Sequence, residues 1–198
     1  MATPARQLLT VAKLRILFFD ERNETAMPHK IHPSTHWKSL DDLTAAERMR
    51  LRNLLDTYIA TQDPVGEHMA ASNDPNLHIH THGFIAWHSI FIAKLEQWLL
   101  LNGGGHFVPL PSYDPDSPVP AELSRGNHAP NPAIPFPNEL RPGPIANIPS
   151  YDVLVNAMVP YHNAVHDAMG GQMPFPMSSP SDPIFYPFHS FLLAVYEH

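Results

Sequence analysis

Twelve of the 23 prolines in this chain fall between Pro109 and Pro149. Each proline in a helix interior removes a hydrogen bond and adds a steric clash, so residues 106–149 are expected to be irregular. The stretch is too long for a simple loop. It is read as packed surface wrapping the core and not as a linker, because the histidines on its two sides each supply only half of a site.

Helical signals flank it. Thr44-Ala-Ala-Glu47 has the spacing of a capping box, and Leu51, Leu54, Leu55, Tyr58 and Ile59 then recur at helical period up to Pro64. Phe84 to Leu101 carries His88, Phe91, Ile92, Leu95 and Leu99 on one stripe, which turns His88 inward, and Asn102-Gly103-Gly104-Gly105 stops it. Ser150 caps an expected helix over Tyr151–Met158. Pro160 is expected to open another at its first position, ended by Gly170-Gly171. A last helix is expected from near Pro187, with His189, Leu192, Leu193 and Tyr196 on one face. A short strand is expected at Leu14–Phe19.

With 198 residues the expectation is one domain over 1–198. The net charge of −7 argues against nucleic acid or an anionic membrane surface as partner. The absence of cysteine excludes disulfides, thiolate metal sites and thiol catalysis. Lys13 and Arg15 interrupt any signal-peptide core, and no apolar run has membrane-span length, so the expected location is cytoplasmic.

The 14 histidines carry the chemistry. His162 and His166 are four apart on one helical face, and His189 arrives from the start of a later helix. Upstream stand His68, His78, His80, His82 and His88. A lone inward histidine is more often a core residue than a ligand; a pair, a third in a proline-framed segment and an upstream cluster together point to metal. Catalytic zinc takes three protein ligands at a single ion, and di-iron bundles use Glu-x-x-His pairs. Two all-histidine sites fit a copper pair better. The expected fold is mainly α: a helical bundle of two helix pairs around a dinuclear metal centre, with long proline-rich irregular segments.

His162-Asn-Ala-Val-His166, Gly170-Gly-Gln-Met173 and Ser179-Pro-Ser-Asp-Pro-Ile-Phe-Tyr-Pro-Phe-His189 resemble the second copper motif of the tyrosinase family of type-3 copper proteins. Phe84-Ile-Ala-Trp87-His88 with Phe91-Ile-Ala-Lys-Leu-Glu96 resembles its first, and the similarity covers most of residues 37–193. The resemblance implies that His162, His166 and His189 hold one copper, and that His68, His80 and His88 hold the other. For the middle ligand of the first copper, His78 and His82 remain alternatives to His80. Several positions depart from the family pattern: Phe188 stands where a histidine is frequent, and Leu193 where an aspartate is usual.

What the resemblance implies for function is oxidation by O2 of o-diphenols or o-aminophenols to o-quinones, with a small phenolic substrate and two copper ions. Monophenol hydroxylation would pair Asn163 as catalytic residue with an upstream Glu. None stands at the expected place, and Asp152 is the nearest carboxylate. Phe188, Phe191 and Met177 are the candidate substrate contacts. Glu96 is a candidate support for His88, and Asp182 a candidate turn cap ahead of Pro183. A copper-loading partner protein and the oligomeric state are left open. The competing readings are a reversible dioxygen carrier with the same copper pair, and a copper-free relic or hydrolytic zinc protein.

Overall fold

The structure, a computed structural model, describes residues 38–125, 128–129, 134–141 and 144–197. The strand expected at Leu14–Phe19 lies outside the described residues. Among the described residues there are five α-helices and no strand, only isolated bridges between Ser39 and Ser112 and between His128 and Gly170. None of these helices is long and apolar enough to cross a membrane.

Helix α1, Ala45–Gln62, starts where the capping box predicts: Thr44 N donates to Glu47 Oε2 at 2.8 Å, and Glu47 N to Thr44 Oγ1 at 3.3 Å. It buries Leu51, Leu55 and Tyr58. The chain then does something the sequence reading missed. Asp63 adopts a left-handed conformation (φ 49°) that ends α1, and its carboxylate accepts from Gly66 N at 3.1 Å. Asp63 is thus also the N-cap of helix α2, Pro64–Asn73. Pro64 occupies the first helical position, where its fixed φ is an asset and its missing N–H has no partner to lose. Proline-as-terminator and proline-as-initiator are the same residue here.

Helix α3, Phe84–Leu101, has the predicted bounds and buries the predicted stripe. Helix α4, Tyr151–Met169, corrects the expectation of two helices meeting at Pro160. Its buried stripe runs unbroken through Leu154, Val155, Met158, Tyr161, His162, Val165, His166 and Met169. Pro160 and Asn156, whose carbonyl loses its partner, are both exposed, so the gap in the ladder falls on the solvent side. Burial of the opposite face outweighs a proline penalty of about 3 kcal/mol. Helix α5, Phe185–Glu197, begins two residues ahead of the expected Pro187. A proline in the first turn is tolerated because that N–H is an orphan anyway.

Buried side chains of α1, α3, α4, α5 and the proline-rich strap form one apolar cluster. The strap is irregular as expected, with short 3-10 turns at Gly105–Phe107, Asn138–Leu140 and Pro144–Asn147. It is pinned to the helices by polar contacts. Leu110 N donates to Glu96 Oε1 at 2.8 Å, Ser190 Oγ to Leu110 O at 2.7 Å, Tyr113 N to Pro187 O at 2.9 Å, and Ala129 N to Met169 O at 2.7 Å. Glu96, expected behind His88, is instead the buried anchor of Leu110: two helical turns separate the two side chains, and the strap comes to the carboxylate.

Candidate metal centre

Helical periodicity positions five of the six candidate ligands. His162 and His166 lie one turn apart on the inner face of α4, His88 on the inner face of α3, His68 on α2, and His189 one turn into α5; all five are buried. His80 is half-buried and sits on the turn between α2 and α3. One nitrogen from each of His68, His80 and His88 falls within 4.8 Å of the other two, and the same holds for His162, His166 and His189. These are the two such groups of three or more His, Asp or Glu among the described residues. The structure brings His80 into reach of His68 and His88; His78 and His82 are exposed and pack against each other instead, their planes tilted by 36°.

The triads face one another. His88 stacks on His189 with ring centroids 4.6 Å and planes 14° apart, and His162 lies 6.1 Å from His88 and 6.3 Å from His80.

Hydrogen bonds to the outer ring nitrogens set the tautomers. Nδ1 of His88, His166 and His189 faces the carbonyl oxygens of Phe84, Met173 and Phe185 at 2.9, 2.8 and 2.7 Å. His162 Nδ1 faces Asn163 Oδ1 at 2.8 Å. These oxygens can only accept, so the proton sits on Nδ1 and Nε2 presents a lone pair. Nε2 of His88 and of His166 is buried with no hydrogen-bond partner. Nε2 of His162 lies 3.1 Å from Nε2 of His189.

Burial also keeps the rings neutral. It holds His88, His162 and His189 well below the usual imidazole range, each pushed further by its neighbouring histidines. Burial lowers His68 to about 3 and His166 to about 4, and it lowers His80 as well. Neutral imidazoles with bare, inward-facing Nε2 atoms are what a metal requires. An unpaired buried nitrogen costs about 1–3 kcal/mol, which a shared cation removes. The donor set is nitrogen throughout, with no carboxylate and no thiolate, and it suits copper, zinc, iron or nickel. The two triads fit a dinuclear site.

Two supporting residues escaped the sequence reading. Phe84 and Phe185 each begin a ligand-bearing helix, and each carbonyl accepts from the histidine four residues on. Phe185 also stacks on His189 at 3.9 Å, and Phe84 packs 4.6 Å from His88 and 4.7 Å from His162. The signal was available as Phe-x-x-x-His, which occurs at both places. His128 was missed as well. Its Nε2 pairs with buried Asp182 Oδ2 at 2.9 Å, while Asp182 also accepts from Gln172 N at 3.0 Å and Ile184 N at 3.4 Å. Asp182 caps its turn as expected, and it also clamps the loop that presents the Met173 carbonyl.

A cavity of about 330 Å³ opens on the triads, walled by His80, His162 and His166 together with Asn163, Asp167, Met173, Pro174, Pro176 and Ser179. Asn163 and Asp167 are exposed, so it reaches solvent. The three side chains expected to touch substrate do not line it. Phe188 is fully buried behind the ligands, its ring parallel to His162 within 4° at 5.9 Å. Phe191 packs on Phe136 at 5.6 Å. Met177 and Phe175 face solvent, while Pro174 and Pro176, on either side of Phe175, take the cavity wall. The turn of the chain, not proximity in sequence to His189, decides which residues look inward.

Asp152 lines a neighbouring cavity of about 410 Å³ with His80, Thr81 and His82. It stands eleven residues before Asn163 in the same helix, about 16 Å along the axis. The two cannot hold one water between them. The carboxylate sharing Asn163's cavity is Asp167, one turn further on.

No curated protein and no solved structure matches this chain closely enough to be counted as similar. Residues 135–197, which carry the second triad and the loop before it, match the common central domain of tyrosinase. That match spans about a third of the chain and, with both histidine triads in place, supports membership of the tyrosinase family.

Proposed function

We propose that this protein is a dicopper oxidoreductase that uses O2 to oxidise o-diphenols or o-aminophenols to the corresponding quinones. The observation that carries the reading is the pair of facing triads, in which Nε2 of His88 and of His166 is buried without a partner and Nε2 of His162 faces Nε2 of His189, beside a cavity open to solvent. His68, His80 and His88 would hold one copper, and His162, His166 and His189 the other. When bound, the pair supplies the two-electron exchange between phenol and dioxygen.

The rest is done by the chain. Met173, Pro174 and Pro176 form a stiff apolar wall opposite the His162–His166 face, suited to a flat ring. Phe84 and Phe185 fill the space among the histidines and keep water from it. The carbonyls of Phe84, Met173 and Phe185 fix ring orientation, so little reorganisation accompanies reaction. Asn163 both orients His162 and borders the cavity, where it can meet a substrate hydroxyl. Since Asp152 is out of reach, o-diphenol oxidation is the primary activity, and any monophenol hydroxylation would depend on Asp167.

The test is to load the metal-free protein with copper and assay 4-tert-butylcatechol and 2-aminophenol, with His189→Ala as control. Turnover by the loaded protein, lost in the variant, supports the reading. Reversible dioxygen uptake without turnover would make the protein a carrier. A loaded protein that does neither would overturn the dicopper assignment.

A further inference from the structure

The two histidines that the first triad leaves out are not disposed at random. His78 and His82 are exposed, and their ring centroids lie 4.1 Å apart. That is as close as any pair inside the triads, where the separations run from 4.3 Å for His162–His166 to 6.2 Å for His80–His88. Two imidazoles bound to one ion at about 2.0 Å place their ring centroids about 4.5–5 Å apart, so the pair needs to open by only about half an ångström to share one.

The turn that joins them is tightly determined. The His78 carbonyl accepts from Thr81 N at 2.9 Å, Gly83 N at 3.1 Å and Thr81 Oγ1 at 3.2 Å. His78 itself sits at φ 49°, an uncommon conformation for a residue with a side chain. A Cβ on Gly83 would lie 2.0 Å from Leu77 O, so the chain can fold back this sharply only with glycine there. The turn therefore brings the two side chains to one place on the surface before any ion arrives.

We propose that His78 and His82 form a third metal site, distinct from the two triads, that takes a cupric ion at the surface and passes it by way of His80 to the first triad. The binding rests on the pair alone; the transfer rests on the dicopper reading. His80 is the natural relay. It lines the outer cavity with His82 and Asp152, and it lines the inner cavity with His162 and His166. It is also the one member of the first triad that is not buried, so an ion bound for His68 and His88 meets it first.

The test compares the parent with His78→Asn/His82→Asn, both metal-free at the start. Asparagine tolerates the left-handed conformation at position 78, so the turn is retained. Both proteins are equilibrated with buffered cupric ion. Bound copper is counted, electron paramagnetic resonance is recorded, and copper that survives brief chelation is followed in time. The expected result is one copper fewer in the variant, loss of an isolated cupric signal coupled to two imidazole nitrogens, and several-fold slower growth of chelation-resistant copper. Equal copper content and equal spectra would overturn the site. A lost signal with unchanged growth of resistant copper would overturn the transfer alone. If the parent shows the two-nitrogen signal but never acquires resistant copper, the surface site stands and the dicopper reading fails.

Discussion

The Nε2 atoms of His162 and His189 face each other at 3.1 Å with no proton between them, since each ring donates from its other nitrogen to a fixed oxygen. Two lone pairs at that range repel. Two nitrogens held about 2.0 Å from one tetrahedral ion stand about 3.3 Å apart, so the observed spacing matches shared coordination.

Metal should therefore stabilise the fold strongly. With free copper a thousandfold above its dissociation constant, linkage adds about 4 kcal/mol, or about 10 °C in melting temperature for a chain of this size. Thermal melts of metal-free protein with and without copper check this. No shift would mean that the native triads do not bind.

The metal-free protein should be acid-sensitive in a defined window. The buried histidines have folded-state values below the ordinary 6.5, with His166 near 4 and His68 near 3. The unfolded chain thus binds more protons as pH falls below about 6.5, and stability drops with it down to the folded values. Above that window these groups make no pH-dependent contribution. Urea melts at pH 7.5 and pH 5 should show the loss; equal midpoints would contradict the buried neutral assignment.

Gly171→Ala should be costly. A Cβ there would lie 2.5 Å from both Asp182 Oδ2 and His128 Nε2, and the residue has φ +62°. Neither partner is a free chain end: both are buried and bonded to each other. We expect a loss of about 1–3 kcal/mol by chemical denaturation. Metal affinity at the second triad should weaken too, because the displaced loop carries the Met173 oxygen that orients His166. A variant as stable as the parent would show that the clamp is slack.

Phe188→Leu should separate packing from substrate contact. The ring is fully buried against His162 and His166, so the substitution should cost about 1 kcal/mol of stability. The KM for catechols should not change. Asn163→Ala should do the reverse, with stability kept and oxidation reduced about tenfold, because His162 loses the acceptor that orients it. Steady-state kinetics beside denaturation curves distinguish the two.

Much of this site was written in local pattern. The i, i+4 spacing of His162 and His166 on a helix, the inward stripe through His88, and the capping box at Thr44 all follow from periodicities of one helical turn. Such signals read correctly because helix geometry is the same wherever a helix forms. The Phe-x-x-x-His repeat belongs to the same class.

What only the tertiary structure decided involves turns and distances between elements. Helix α2 was hidden because Asp63 ends one helix and caps the next, so the proline that marks a stop is also a start. The choice of His80 over His78 and His82 depends on a left-handed turn at His78, and a ring moved by one or two residues along a turn points elsewhere entirely. Pro160 stays inside a helix because its missing donor falls on the exposed side, which no local rule reports. Asp167, not Asp152, reaches Asn163's cavity because helix α4 is continuous. The sequence by itself determined which helices bear imidazoles and on which face; the packing of those helices determined which nitrogens meet, since contact between segments depends on separations that no single helix's period encodes.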